Sequence, residues 1–542
     1  MPCEPIAVSV CVGMPQQQPC PSPAARCTPC DPAIAAFRDA TKGRTIAAAL
    51  MHGLFVMQPA APAGRVLSLG GCESALNPPL LRKLERQMPS GTQTIVGNHC
   101  VPPTGDANGR RPSYDVVVGD LGHINSTQAF DALWPRAVSP GGAYVLESAS
   151  FGQRRSSRRG PAPFALMEDI WSERLGAWTD SLLAHTSGGS DSNEATSAPS
   201  ARWANAHVRG GNAYVRGNAE ALARARLHPL PASAALVGCG VAACVAIKHS
   251  PASRVLDDPY AAARAAAGRD PSKLNTHKNA SLVGTRPPHA ASSVSAPLSA
   301  AAPAPGTCTT ASATVPWMRR LLFGSEPVSD KSKHYYEVMY GLFAAPLARA
   351  ARRWRRPVRL FEIGLGCNQM LKNGNKSASV ELWRRLLPPG AAIFEADFKQ
   401  DCVDKINRER LLGSGVLALH GDQSDDTTLR RWVRETGGDF DVVVDDGSHV
   451  NRHILLTFRA LWPHVRAGGL YFMEDLHVGR RKSYDQTGGH GVVSEVLQAW
   501  QHQLLTGERF DAAWAGVRAL PDAAAFVGCS HRICVVMKDA HT

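Results

Sequence analysis

DVVVDDGSHVN at 441–451 and ALWPHVRAGGLYFMEDLH at 460–477 are matched, in order and in kind, by DVVVGDLGHIN at 115–125 and ALWPRAVSPGGAYVLESAS at 132–150. A correspondence of that length marks an internal duplication. The second copy keeps its acids: where it has Asp445, Asp446, Glu474 and Asp475, the first has Gly119, Asp120, Glu147 and Ser148. Four potential anionic ligands are thinned to two, so chemistry is expected from the second copy and not from the first.

Outward from that stretch, each copy follows one plan. Met-x-Gly-Leu-Phe (Met51 to Phe55; Met339 to Phe343) precedes an apolar run ending at glycine (RVLSLGGC; RLFEIGLGC), then a helix, then a second strand after Pro-x-Gly. The last strands also correspond, LVGCGVAACVAIK with FVGCSHRICVVMK. Runs apolar throughout, such as Val442 to Val444 and Leu470 to Met473, alternate with helical patterns, which predicts parallel strands covered on both faces. The expected fold is α/β: two tandem doubly wound, Rossmann-like domains.

At 542 residues the chain is too long for one core, at roughly 100–200 residues per domain. The tract from about Ser250 to Pro316 lacks large apolar residues and cannot offset its ordering entropy. Hence the expected division: a disordered tail at 1–35, with neither signal-peptide nor transit-peptide character, a first domain at 36–250, a linker at 251–315 and a second domain at 316–542. Thr186 to Asn212 reads as a disordered insertion in the first copy.

No apolar run approaches the roughly 20 residues of a membrane-spanning helix, so no membrane partner is expected, and the cytoplasm is the default compartment. A net charge of +13 would suit a polyanion. The arginines, however, are scattered (Arg352, Arg353, Arg355, Arg356; Arg430, Arg431, Arg434; Arg154 to Arg159) without interleaved stacking aromatics, so a solvated face is preferred over a nucleic-acid site. Asn77-Pro-Pro-Leu80 resembles the NPP signature of base-methylating enzymes, but it follows the wrong strand and lacks the stacking aromatic. Cysteines fall without regular spacing and read as reduced thiols, and Cys27-Thr-Pro-Cys30 is a lone CxxC.

Ligands of an open α/β sheet bind beyond the carboxyl ends of its strands. The first strand of the second copy ends in Glu362-Ile-Gly364-Leu-Gly366, a turn that either admits a cofactor to the backbone or merely joins strand to helix. The next ends at Asp397, placed to accept a ribose diol, and the third leads into Asp422-Gln423, polar groups able to read an adenine edge. In the first copy Ser68 and Asn98 replace Glu362 and Asp397. The fourth and fifth strands end at Asp446 and at Glu474-Asp475. If these strands are neighbours, the three acids converge on a hard-oxygen site suited to Mg2+, and a cation relieves their repulsion. The alternative is that they cap the following helices. His449 is a candidate general base, although His123 at the equivalent position of the first copy points to a packing role as well.

EIGLG, ADF, GDQSD, DFDVVVDDGSHVN and GGLYFMEDLH together resemble the metal-dependent class I S-adenosylmethionine methyltransferases of macrolide-sugar hydroxyls, of the mycinamicin and tylosin type, over about 320–542. The resemblance implies Mg2+ at Asp446, Glu474 and Asp475, His449 as base, and adenosylmethionine contacts at Glu362, Gly364, Gly366, Asp397, Asp422 and Gln423. Asp330-Lys331 and His334-Tyr335 resemble the segment ahead of the domain, and Cys367 to Met370 departs from the family's glycine-rich loop. The implied reaction is Mg2+-dependent O-methylation of a small sugar- or diol-bearing acceptor, the first copy being a pseudoenzyme that serves as a built-in partner in place of a homo-oligomer contact. A nucleic-acid methyltransferase or binder and a non-catalytic scaffold are the alternatives.

Overall fold

The structure, a computed structural model, describes residues 65–70, 93–98, 113–120, 125–147, 163–184, most of 230–248 and most of 318–539, where the longer gaps are 323–328, 485–491 and 508–518. The expected tail, linker and insertion, and Met51 to Phe55, Cys27 to Cys30 and His123, lie outside the described residues.

Thirteen strands form one sheet: β1 (Arg65–Gly70), β2 (Gln93–Asn98), β3 (Tyr114–Asp120), β4 (Val138–Glu147), β5 (Ala234–Gly240), β6 (Ala243–Lys248), β7 (Arg359–Ile363), β8 (Ala392–Asp397), β9 (Val416–His420), β10 (Phe440–Asp445), β11 (Val465–Met473), β12 (Ala524–Ser530) and β13 (Ile533–Lys538). Their order is β2-β1-β3-β4-β6-β5-β12-β13-β11-β10-β7-β8-β9. Pairing is parallel from β2 to β4 and from β9 to β11, and antiparallel through the two hairpins between. One strand formula is thus read twice in opposite directions from the middle of a single sheet, rather than in two separate sheets.

The likeness of the two arrays extends to their irregularities. Register shifts between Tyr114 and Val116 on β3, and again between Phe440 and Val442 on β10. The hairpins shift between Ala234 and Leu236 and between Ala524 and Phe526. Lys248 Nζ donates to the carbonyls of Trp134 and Val138 at 2.8 and 2.9 Å, and Lys538 Nζ does the same to Trp462 and Val465 at 3.1 and 2.8 Å. Each ammonium also lies over its tryptophan ring, an attraction that adds to the hydrogen bonds.

Nine α-helices of six residues or more among the described residues pack with the sheet, beside a short helical stretch at Glu337–Ala344: α1 (Ser126–Leu133), α2 (Pro163–Ala184), α3 (Ala345–Ala351), α4 (Cys367–Lys372), α5 (Ala378–Leu386), α6 (Gln400–Glu409), α7 (Asp426–Thr436), α8 (Asn451–Leu461) and α9 (Val493–Thr506). Their ends follow local chemistry. The Asp425 carboxylate accepts from Thr427 and Thr428 at the start of α7, whose end is Gly437 at φ 78°; such caps satisfy backbone groups the helix itself cannot. Alternate residues of each strand face opposite layers. On one side Val116, Val145, Leu360, Val444, Phe472 and Val535 share a core that runs under both arrays. On the other, Val443, Tyr471 and Val536 pack with α8 and α9, while Val117, Tyr144 and Ala246 pack with α1 and α2.

The arrays meet at β5 and β12. In this antiparallel pair Gly238 stands opposite Gly528, with Cys239 opposite Val527 and Val237 opposite Cys529. These are equivalent positions of the two sequences, so the join is locally self-complementary, as at a two-fold interface. The helices above repeat the rule. Thr179 donates to Gln501 Oε1 at 3.0 Å, Ser172 pairs with His502 at 2.7 Å, and Gln498 donates to Asp180 at 3.2 Å. Leu183 of α2 is buried in the core of the second array, and Leu505 of α9 in that of the first.

The cysteine expectation is corrected. Cys239 pairs with Cys244, Cys529 with Cys534, and Cys367 with Cys402. The first two pairs stand directly opposite each other across their hairpins, a match set by strand register that spacing along the chain does not reveal.

A Cβ at Gly238 would overlap the Phe526 ring and crowd the Gly528 backbone. Gly238→Ala should therefore lower stability by about 1–3 kcal/mol, the usual cost of overpacking, measured by urea unfolding of the full chain. Unchanged unfolding would show that the two strands do not meet there.

Candidate active site

Backbone hydrogen bonds carry the parallel ladder past the strand ends and bring four tips level. Gly364 N–H donates to Ala396 O, Asp446 N–H to Ile363 O and Glu474 N–H to Asp445 O, at 2.9 to 3.0 Å. β10 and β11 are neighbours, as the sequence argument required. The helix-capping alternative does not hold for α8, whose N-cap is Val450 with no side-chain cap.

The acids divide into two groups that share Asp446. In the inner group, Lys331 Nζ lies 2.8 Å from Asp446 Oδ2, 2.8 Å from both oxygens of Glu474 and 3.1 Å from Glu362 Oε1. Lys331 is wholly buried. Burial works against its charge, but Asp446, Glu474 and Glu362 outweigh it and hold its pKa well above the ordinary lysine value. Tyr340 donates to Glu474, and Trp383 Nε1 donates to Glu362 Oε2 at 2.5 Å. Glu395 faces Glu362 across the β7–β8 register. Wholly buried, it has its pKa pushed well up by desolvation and then by Glu362.

The outer group is Asp446, His449 and Asp475, which offer ligand atoms within 4.8 Å of one another. His449 and Asp475 both hold left-handed backbones, φ 58° and 54°, conformations that cost side-chain-bearing residues energy and gather at functional sites. Asp475 accepts from Tyr336 Oη at 2.7 Å, lies 3.0 Å from His334 Nδ1 and faces His449 and His477 at 4.0 and 3.9 Å. Burial raises its pKa, but His334 and Tyr336 more than reverse that and hold it below the usual carboxylate range. Desolvation pushes Asp446 up to about 6, against the pull of Lys331, and pushes His477 down to about 4 with help from Arg532.

Three of the expected site residues are engaged by protein groups. Lys331 and Tyr340 lie on the oxygens of Glu474, which with Glu362 and Asp446 forms a second set of acids whose ligand atoms lie within 4.8 Å of one another. Glu362 is likewise turned into the protein, toward Lys331 and Trp383. The Gln423 amide donates to Asp445 and Thr457 at 3.1 and 3.2 Å and accepts from Ser448 N–H at 2.6 Å, pinning the 445–449 loop from beneath. Asp422 is exposed and caps its own turn through Ser424 N–H. Lys331, His334 and Tyr336 are the functional residues the residue-by-residue reading missed; the signal for them lay in the resemblance of Asp330-Lys331 and His334.

Around the glycine turn, Asp397 accepts from Cys367 N–H at 3.1 Å and Lys399 N–H at 3.0 Å. The Cys367–Cys402 disulfide ties the start of α4 to α6 beside it. Gly364 (φ 105°) is a glycine because a Cβ would overlap the Asp446 carbonyl, whereas Gly366 (φ 72°) has nothing nearer than 4.0 Å. Open space before Gly366, with a carboxylate at the adjoining tip, fits the sugar end of a nucleoside cofactor. The two carboxylates of the outer group fit a divalent ion whose other positions take water or substrate oxygens, with the imidazole of His449 beside it.

The geometry belongs to the class of α/β folds that bind a nucleoside cofactor at their strand tips, and the comparisons narrow it. No protein-family model matches the chain. Several curated O-methyltransferases that act on macrolide sugars do match it, over about a third of its length in the C-terminal half. Mycinamicin VI 2''-O-methyltransferase of Micromonospora griseorubida is 32% identical over 193 residues, 33% of this chain and 46% of that protein. Demethylmacrocin O-methyltransferase of Streptomyces fradiae is 35% identical over 156 residues, 27% and 37% of the two chains. Among solved structures, the MycE methyltransferase of the mycinamycin pathway, in complex with Mg, SAH and mycinamycin VI, aligns with TM-score 0.29 and 28% identity over 38% of this chain and 49% of that one. The chain spans less than half the length of the curated relatives it matches.

Gly364→Ala should displace the Asp446 loop and cost about 2–3 kcal/mol or more, whereas Gly366→Ala should cost about 1–2 kcal/mol from backbone strain alone. Chemical unfolding checks both, and equal costs would contradict the packing of Gly364 on Asp446.

Proposed function

We propose that this protein is an S-adenosylmethionine-dependent O-methyltransferase that methylates a hydroxyl of a sugar or another small diol-bearing molecule, with a divalent ion of the Mg2+ type held by Asp446 and Asp475. The observation that carries the reading is the outer cluster, two carboxylates and His449 at adjoining strand tips beside an open glycine turn. When bound, adenosylmethionine supplies the electrophilic methyl group, and the divalent ion lowers the pKa of an acceptor hydroxyl.

With the cofactor bound, the acceptor hydroxyl would have to lose its proton on methylation; His449 is placed to take it, and Asp475 at 4.0 Å to stabilise the imidazolium. Asp397 accepts the ribose hydroxyls, its own position fixed by two backbone donors. Holding oxygen, methyl and sulfur in line supplies a further share of the rate by proximity.

Residues 316–542 form the catalytic domain in this reading. Residues 36–250 form a pseudoenzyme domain that serves as its built-in partner, with 251–315 linking them. The exchange of Leu183 and Leu505 between cores supports the partner role. No helix is long and apolar enough to cross a membrane. The cytoplasmic default sits awkwardly with three cysteine pairs, which persist mainly in oxidising compartments; counting free thiols in the purified, unreduced protein decides between the two settings.

His449→Ala should lower turnover by about 10²–10⁴-fold, the range of general-base catalysis, with adenosylmethionine affinity retained in calorimetry. Asp446→Asn or EDTA should abolish turnover of a diol acceptor. Full activity in EDTA would end the metal reading. Leu183→Ala, in the half without the acids, should cost about 2–5 kcal/mol and reduce turnover, whereas a freely tethered first half would leave turnover unchanged.

A further inference from the structure

The positive charge that three buried acids require is already carried by the chain. Lys331 lies in a short 3₁₀ turn, Asp330–Ser332, closed by the Ser332 hydroxyl on the Ser329 carbonyl at 2.7 Å. Its ammonium stands among Glu362, Asp446 and Glu474, acids at the tips of β7, β10 and β11, at 2.8 to 3.1 Å. A divalent ion bound between Asp446 and Glu474 would need the volume that this ammonium fills. The same stretch reaches the outer group, for His334 and Tyr336 both contact Asp475. One short segment therefore grips both sides of the acid cluster.

We propose that Lys331 is a tethered internal cation that holds Asp446 and Glu474 in place and confines divalent-ion binding to the outer side, at Asp446 and Asp475, with His449 left beside the ion. Glu474 is then an anchor for Lys331 and not a metal ligand. The proposal rests on the reading that this site takes a divalent ion, and it predicts an outcome of opposite sign to that of a lysine which merely braces a metal site. Removing a brace weakens metal binding, commonly by about 10–100-fold. Removing a competing cation strengthens it.

The test titrates Mn2+ into the full-length, chelator-treated protein and follows free Mn2+ by electron spin resonance. Expected are one bound ion in the unmodified protein, affinity within about threefold for Glu474→Gln, and affinity about tenfold or more tighter for Lys331→Met. Lys331→Met should also melt lower than the unmodified protein in chelator, because a buried ion pair has lost one partner, and should gain more in melting temperature from Mn2+. Weakening by about tenfold or more in Glu474→Gln, or equal or weaker binding in Lys331→Met, overturns the proposal. If Lys331→Met does not fold in chelator, recovery of folded protein by Mn2+ supports it, and in the absence of recovery the Glu474→Gln titration decides. Mn2+ bound by neither the unmodified protein nor any variant overturns this proposal and the divalent-ion reading together.

Discussion

Parallel pairing of β7, β10 and β11 puts Glu362, Asp446 and Glu474 side by side, two of them buried and the third half-buried, and a set of bare carboxylates so placed is unstable. Taking charges out of water is costly, and their mutual repulsion adds to the cost. The register that aligns the tips is fixed by continuous apolar strands, so the acids cannot move apart without breaking the sheet. Something positive has to enter. Lys331 does, through a segment 115 residues before Asp446 and 143 before Glu474, and this explains why 329–336 is anchored to the strand tips. Glu395, one strand further on, feels the same constraint: burial and then Glu362 push its pKa well up.

A second constraint acts at the middle of the sheet. A parallel array ending in an antiparallel hairpin leaves β12 as an edge, with unpaired backbone groups that invite association. Here β5 of the first array covers it. Both strands carry glycine where they cross, since the Phe526 ring leaves no room for a side chain, and the two leucine pairs above them, Leu182-Leu183 and Leu504-Leu505, each give one residue to their own core and one to the other. The join thus behaves as a two-fold interface built within a single chain. Its requirements lie in mid-strand, while the acids lie at the tips, so the edge can be covered whatever residues the tips of the first array carry.

The parallel strands were legible because fully buried strands leave uninterrupted apolar runs, whereas the last run of each copy is an antiparallel hairpin, and the positions of Asp397, Asp446 and Asp475 at strand tips followed from where those runs end. The partners of those acids were not legible. Nothing local to Glu474 announces that an ammonium from a distant 3₁₀ turn takes both its oxygens, and nothing around Gln423 distinguishes an amide that reads a base from one that supports a loop. The glycines illustrate the same limit. Gly364 and Gly366 look alike in EIGLG, yet one is required by the Asp446 carbonyl and the other faces open space. Cysteine pairing failed for a related reason: Cys529 and Cys534 are opposed by hairpin register, and Cys367 meets Cys402 because two helices start beside the same strand tip.

The two constraints meet at one loop. Leu476 N–H, next to Asp475, donates to Arg532 O at 2.9 Å, and Arg532 N–H donates to Leu182 O at the end of α2 at 3.3 Å. Ser530 Oγ, at the other side of that hairpin turn, donates to Ala235 O on β5 at 2.6 Å. The turn that supports the outer acids is therefore held by the first array on two sides. Asp475 sits at a left-handed φ that it would not keep unaided, because such strain persists only where surrounding structure over-determines it. Part of that over-determination comes from the first array, and this gives it a physical role in the acid cluster of the second.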